Sequence, residues 1–196
     1  MAILLFLATL GTGLFFYWKQ NQRPELGGAL SLAKAFWLIY AIYTWFLFMP
    51  YNIYVLKLPP FVTQVWMIFW FWMLFRGIIE IFMMYVTKNW SPIYGITHDL
   101  SCLFILVGGT VIYWPQFLMI PNIILYFHFS LILSLCLETY YAWGFFKIVK
   151  EKTKGEEAIW FASKEDPRFK RLVILTNIMN WPLYLILVIY LYFLTI

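Results

Sequence analysis

The sequence predicts an all-α integral membrane protein, a bundle of six transmembrane helices with both termini on the non-cytoplasmic side. Of its 196 residues, 64% are hydrophobic and only 12% are charged, whereas about a quarter of the residues in a soluble domain are charged. Apolar runs recur along the whole chain, and a membrane helix needs about 20 such residues. The runs show no period-two alternation, which excludes a transmembrane barrel.

The whole chain, 1–196, is interpreted as a single transmembrane domain. The first span is retained as a helix because no basic segment precedes it and no small-x-small cleavage site follows it. Pro50 is expected to kink the second span, and Pro182 lies inside the last. The predicted spans are 2–18, 29–56, 61–86, 92–114, 121–148 and 172–194, with a cytoplasmic loop at 149–171.

The basic residues set the predicted orientation. The segment 147–171 carries eight of the 14 Lys and Arg residues, so this side is expected to face the cytoplasm. Lys88 and the turn containing Lys19 and Arg23 fall on the same side, and Lys57 falls on the other. The net charge of +5 therefore reflects membrane orientation, and nucleic acid is not expected as a partner.

Ionisable residues interrupt the apolar runs at similar depths. With a rise of about 1.5 Å per residue, Glu80 lies about 12 Å and Glu138 about 14 Å from the nearest cytoplasmic lysine. Ser91 and Pro92 predict the start of the fourth span, as an N-cap residue and a first-turn proline. That start puts His98 and Asp99 about 9–11 Å from the cytoplasmic edge of the helix. Arg76 lies one turn deeper than Glu80 on the same helix face.

These residues converge on one thin layer near the cytoplasmic side. Ionisable groups inside a membrane are costly, so they normally face a bundle interior or a wet cavity. The layer therefore predicts a cavity that opens toward the cytoplasmic leaflet. The polar side chains on its wall, taken from four predicted spans, are Glu80, His98, Asp99, Glu138, Asn177 and Asn180.

A carboxylate–histidine–carboxylate set suits acid–base work on a lipid: shifting a double bond, hydrolysing an ester or transferring an acyl group. Glu138 and His98 are predicted to be the acid–base pair, with Asp99 and Glu80 completing the catalytic set. The expected partner is a membrane lipid, and no cofactor is predicted. The residues predicted to bind the substrate are Arg76, Asn177, Asn180, Tyr141 and Trp181.

Each of these features also has a purely structural explanation, which stays open. Arg76 and Glu80 could form a structural ion pair, and the pair at 98–99 could be a hydrated helix end. The chain could then be a structural or transport subunit of a larger membrane complex, with the buried charges as helix ties or a proton path. Enzyme and non-enzyme are balanced at this point.

Metal and thiol chemistry find little support in the sequence. The two histidines, His98 and His128, are expected at opposite ends of the bundle, too far apart to hold one haem within a chain. His98, Asp99 and Glu138 are stereochemically able to hold a zinc ion, but no metal site is predicted. Cys102 and Cys136 lie in apolar runs without a C-x-x-C spacing, so both are expected to be buried free thiols.

Short resemblances to two lipid-processing families favour lipid chemistry. Glu80 and the stretch NIMNW at 177–181 resemble the buried acid and the N-x-x-W-type pattern of EXPERA-type sterol isomerases. Glu80, the HD pair at 98–99 and Glu138 resemble the acid, histidine and acid order of TLC-domain lipid proteins, although the second histidine is absent. Each resemblance covers a handful of residues, and neither transfers a catalytic role.

Overall fold

The computed structural model describes residues 42–87 and 92–150, with the single residues 7, 11, 14, 15, 18 and 174. Every regular element in this part of the chain is a helix. Most of the predicted first and last spans, the start of the second and most of the cytoplasmic loop lie outside the described residues. The chain divides into two compact units, Thr44–Thr139 and a second made of Met1–Tyr43 with Tyr140–Ile196.

The unit Thr44–Thr139 opens with a π-helical turn, Thr44–Phe48, and helix α1, Met49–Tyr54. Next come α2, Pro60–Phe82, extended by a second π-helical turn at Met83–Thr87, and then α3, Pro92–Ile112. A short helix α4, Trp114–Phe117, leads to α5, Asn122–Lys150, which continues past this unit.

Three helices are long and apolar enough to cross a membrane, and they indicate a membrane protein. They overlap three of the segments predicted as spans, 61–86, 92–114 and 121–148. The candidate spanning segments are Pro60–Glu80, Ile93–Ile112 and Asn122–Gly144.

Prolines fix where the spanning helices begin. Pro59 is extended, with φ −54° and ψ 138°, and Pro60 is the first residue of α2. Pro92 is the first residue of α3, as the sequence predicted. A proline suits this position because the first-turn N–H groups have no intrahelical partner and its φ is already helical.

Pro50 coincides with an irregular backbone rather than an uninterrupted α-helix. Pro50 cannot donate an N–H to the preceding turn, and that turn is the π-helical stretch Thr44–Phe48. The Trp45 carbonyl, five residues earlier, accepts a hydrogen bond of 2.7 Å from the indole N–H of Trp70 on α2. A neighbouring helix thereby satisfies a backbone group that lipid could not.

Helices α2 and α3 run antiparallel and pack closely. A Cβ placed on Gly109 of α3 would lie 2.6 Å from both γ-methyl carbons of Val65 on α2. On the other side of α2, a Cβ on Gly77 would lie 2.8 Å from the Trp45 ring. Small residues at these two points permit the helix contacts, as is common in membrane bundles.

Each long helix turns one stripe inward and leaves an apolar face outside. On α2 the inward stripe includes Trp66, Phe69 and Met73, while Phe71 and Phe75 are exposed. The aromatic stretch at 61–75 is therefore divided between the interior of the bundle and its outer surface. This spacing of three and four residues is that of one helix face.

The cysteine prediction was right for one residue and wrong for the other. Cys102 is buried on the inward stripe of α3, whereas Cys136 is exposed on α5. Cys136 follows Phe129 and Leu133 at helical spacing, and both of these side chains are also exposed. An apolar run reports that a helix lies in the membrane, but it does not report which face looks inward.

Candidate functional site

A buried arginine joins carboxylates from three helices. Arg76 of α2 donates through Nη1 to Oδ1 of Asp99 on α3. The same Nη1 lies 3.7 Å from Oε2 of Glu138 on α5. Its Nη2 donates to Oε1 of Glu80, one turn further along α2, at 3.2 Å. We call Arg76, Glu80, Asp99 and Glu138 the Arg76 cluster.

The Arg76 cluster is withdrawn from the surface of the unit. Asp99 is 1% exposed, and Arg76 and Glu138 are 6% and 9% exposed. Glu80 is half-buried and marks the open edge of the cluster. Moving such groups out of water is costly, and the cost is recovered only when opposite charges and hydrogen bonds are well placed. The contacts of the cluster therefore fix the positions of α2, α3 and α5 relative to one another along their axes.

A serine joins the cluster from the same helix as Glu138. The Ser134 hydroxyl donates to Glu138 Oε1 at 3.0 Å, one turn back along α5. The sequence interpretation did not single out Ser134. Its signal was the spacing of four residues, which places both side chains on one helix face.

His98 adjoins the cluster through Asp99 but faces a different set of atoms. Its Nδ1 lies 3.9 Å from Asp99 Oδ1 and 3.6 Å from the Cys102 sulfur. Its Nε2 lies 3.4 Å from the Trp72 carbonyl oxygen, and the Trp72 indole stacks on the imidazole with an interplanar angle of 9°. Cys102 in turn lies 3.2 Å from the sulfur of Met73.

His128 belongs to a second polar layer, which we call the His128 layer and define as His128, Trp66 and Thr110. The Trp66 indole N–H donates to His128 Nδ1 at 2.9 Å. His128 Nε2 therefore carries the ring proton and donates to the Thr110 hydroxyl at 2.7 Å. That hydroxyl donates to the Leu106 carbonyl at 2.6 Å.

Every polar atom of the His128 ring thus has a partner, and the ring is fully buried. The His128 layer ties the same three helices as the Arg76 cluster. Trp66 precedes Arg76 by ten residues on α2, so the two layers are about 15 Å apart. The arrangement assigns His128 a structural role, because no ring atom remains to meet a ligand.

The structure brings together four of the predicted site residues, Arg76, Glu80, Asp99 and Glu138, and puts His98 beside them. Tyr141 is half-buried on α5 in the second unit. Asn177, Asn180 and Trp181 lie outside the described residues. No group of three His, Cys, Asp or Glu side chains within 42–87 and 92–150 is arranged to hold a metal ion.

No protein-family model matches the chain, and no curated protein and no solved structure matches it either.

Proposed function

We propose that this chain is a six-span membrane protein, with both termini on the non-cytoplasmic side, that binds a lipid-like molecule at the Arg76 cluster and exchanges a proton with it. The membrane is a bacterial inner membrane or a eukaryotic organelle membrane, and the cluster faces its cytoplasmic leaflet. The observation that carries the proposal is one buried guanidinium shared by carboxylates from three helices. Ionisable groups at such depth are characteristic of functional sites.

The charge count supports an exchangeable proton. The Arg76 cluster sets one guanidinium against three carboxylates. Excess negative charge is strongly disfavoured in a low-dielectric interior, and a proton on one carboxyl relieves it. Asp99 and Glu80 accept hydrogen bonds from Arg76, whereas Glu138 makes the longest contact, at 3.7 Å. Glu138 is therefore the group to which we assign the proton.

The cluster can then work as a general acid. Glu138 gives its proton to an oxygen or an unsaturated carbon of the bound lipid, and the carboxylate that remains lies beside the charged Arg76. The Ser134 hydroxyl donates to Oε1 of Glu138, and Oε2 is the oxygen nearer Arg76. The hydrogen bond from Ser134 therefore fixes the direction of the carboxyl group. Asp99 and Glu80 keep the guanidinium in place during the transfer. Return of a proton to Glu138, from the product or from water, completes the cycle.

Reconstituted protein tests this proposal with a total lipid extract of the expression host as the probe. Native mass spectrometry is expected to detect lipid bound to the wild type. After incubation, chromatography coupled to mass spectrometry is expected to detect a shifted species, meaning a lipid of altered retention time or altered mass. Glu138→Gln keeps the shape of the side chain but cannot cycle a proton, so it should abolish the shifted species. Cys136→Ser, at an exposed position of the same helix, is the matched control.

Infrared spectroscopy gives an independent measure of the assigned proton. The wild type is expected to show the carbonyl band of a protonated carboxyl group, and Glu138→Gln should remove it. An unchanged band in the variant, together with unchanged lipid conversion, would remove Glu138 from the proposed chemistry.

The second candidate is a structural or transport subunit of a membrane complex. The observation that favours it is that the carboxylates contact Arg76, as helix ties would. A proton path predicts dye-detected proton flux into sealed liposomes that Glu138→Gln stops. A structural subunit predicts co-purification of other membrane chains after mild extraction, with no flux and no lipid conversion.

A further inference from the structure

We propose that the Arg76 cluster recognises its lipid through a free hydroxyl group, which binds between Nε of Arg76 and the carboxylate of Glu80. The inference rests on the proposed lipid binding and names the class of ligand, a lipid alcohol. It assigns Arg76 and Glu80 to the polar head of the lipid, while proton transfer stays with Glu138.

One donor of the buried guanidinium lacks an acceptor. Arg76 is 6% exposed, and both of its Nη nitrogens reach carboxylates. Its Nε, which is also buried, has no hydrogen-bond partner among the described residues. A buried donor without an acceptor is costly, and more so when the donor belongs to a charged group. The Nε–H is therefore the atom of the Arg76 cluster that a bound ligand can satisfy.

Glu80 is the carboxylate on the same side of the guanidinium as this donor. In an arginine side chain the Nε–H and the Nη2 nitrogen share one edge of the planar group, and Nη1 lies on the other side. Nη2 donates to Glu80 Oε1 at 3.2 Å, whereas Asp99 and Glu138 contact Nη1. A carboxylate can accept about four hydrogen bonds, so Glu80 can accept more than the one from Arg76.

A single oxygen atom can bond to both groups. Nε and Nη2 are attached to the same carbon, so the carboxylate that contacts Nη2 also lies close to Nε. Hydrogen bonds to a shared oxygen span roughly 2.7–3.2 Å on either side of it. A hydroxyl oxygen accepts from the Nε–H, and its own O–H donates to Glu80. Water has the same two capacities, and the lipid hydroxyl takes its place when the lipid binds.

The charge and the hydrogen-bonding pattern exclude other polar heads. With the proton assigned to Glu138, the Arg76 cluster holds one positive and two negative charges. A carboxylate or phosphate would bury a further negative charge. An ammonium group would balance the charge, but it has no lone pair to accept from the Nε–H. An ether or ester oxygen accepts from Arg76 but cannot donate to Glu80, whereas a neutral hydroxyl does both.

Glu80 lies where the head of a lipid can reach it. It is half-buried, and it is the last residue of the candidate spanning segment Pro60–Glu80. Ile78 and Phe82, two residues to either side, are 67% and 54% exposed and offer apolar surface for the hydrocarbon. Since Glu138 lies on the Nη1 side of the guanidinium, the hydroxyl serves as the anchor of the lipid and a different atom receives the proton.

Four probes with one hydrocarbon chain and different heads test the inference: hexadecanol, methyl hexadecyl ether, hexadecanoate and hexadecylamine. Their binding to the purified full chain in detergent is measured by native mass spectrometry with pairs of probes in competition. Wild type should bind hexadecanol roughly tenfold or more tightly than the ether, because the ether cannot donate to the charged Glu80. Hexadecanoate and hexadecylamine should also bind more weakly than the alcohol.

Glu80→Met removes the acceptor and should bring the alcohol and the ether to equal affinity, since both then only accept from Arg76. Lys57→Met introduces the same side chain at an exposed position and should keep the preference for the alcohol. Nuclear magnetic resonance of arginine labelled with nitrogen-15 tests the donor directly. The Nε signal that disappears in Arg76→Lys should shift when hexadecanol is added and stay unchanged with hexadecane.

Four results would overturn the hydroxyl inference alone: equal binding of alcohol and ether by wild type, tighter binding of hexadecanoate or hexadecylamine, an unchanged preference in Glu80→Met, or an Arg76 Nε signal that ignores hexadecanol. Retention of host lipid by a wild type that does not bind hexadecanol would do the same. A wild type that retains neither the probes nor any lipid of the host extract would overturn the proposed function, and this inference with it.

Discussion

Replacement of Arg76 by methionine is the sharpest test of the Arg76 cluster. Methionine keeps most of the length and volume of the side chain but removes the charge shared by Asp99, Glu80 and Glu138. Removing one partner of a buried ion pair typically costs about 3–5 kcal/mol, because the other charge stays buried without compensation. The carboxylates left without Arg76 take up protons, and this protonation keeps the loss of unfolding free energy within this range.

The burial of each carboxylate predicts how much stability its substitution costs. Asp99 is almost fully buried, whereas Glu80 is half-buried. Glu80→Gln should therefore cost only about 1 kcal/mol or less, because a partly hydrated pair contributes little. The double variant Arg76→Met/Asp99→Asn should be more stable than Arg76→Met alone, because it removes a stranded charge. Lys57→Met, at an exposed position, is the control.

The free energy of unfolding is measured by reversible titration of mixed micelles with a denaturing detergent, with helicity as the signal. The reasoning would be refuted if Arg76→Met unfolded within about 1 kcal/mol of the wild type, well below the cost of a broken buried pair. It would also fail if the double variant were no more stable than Arg76→Met alone.

The remaining predictions use the same unfolding titration. His128→Ala should lose about 2–4 kcal/mol, since it opens a cavity and leaves the Trp66 N–H without its acceptor. Gly109→Ala should cost about 1–3 kcal/mol through its clash with a γ-methyl carbon on α2, whereas Gly108→Ala, with open space around it, should be neutral or slightly stabilising. Trp70→Phe should cost about 1–2 kcal/mol because a carbonyl of the first π-helical turn loses its donor; a neutral Trp70→Phe would show that this carbonyl finds another partner.

The common level of these carboxylates was predictable from the sequence because level depends on position along a helix. Apolar runs located the three spanning helices, and Pro92 marked the start of α3. A constant rise per residue then brought Glu80, Asp99 and Glu138 to one level. Their shared contact with Arg76 follows from that level and from the inward face on which each side chain lies.

Rotation about each helix axis and the choice of neighbour were decided only by tertiary packing. A run of apolar residues is equally compatible with either face inward, so the sequence could not separate buried Cys102 from exposed Cys136. It also could not show that His98 lies against Cys102 and the Trp72 carbonyl, or that Met73 contacts Cys102. Such contacts join residues more than 20 positions apart or depend on a helix rotation, and they are set by how α2, α3 and α5 pack together. The sequence therefore determined the membrane helices and the level of their charges, and the packing determined which atoms meet at that level.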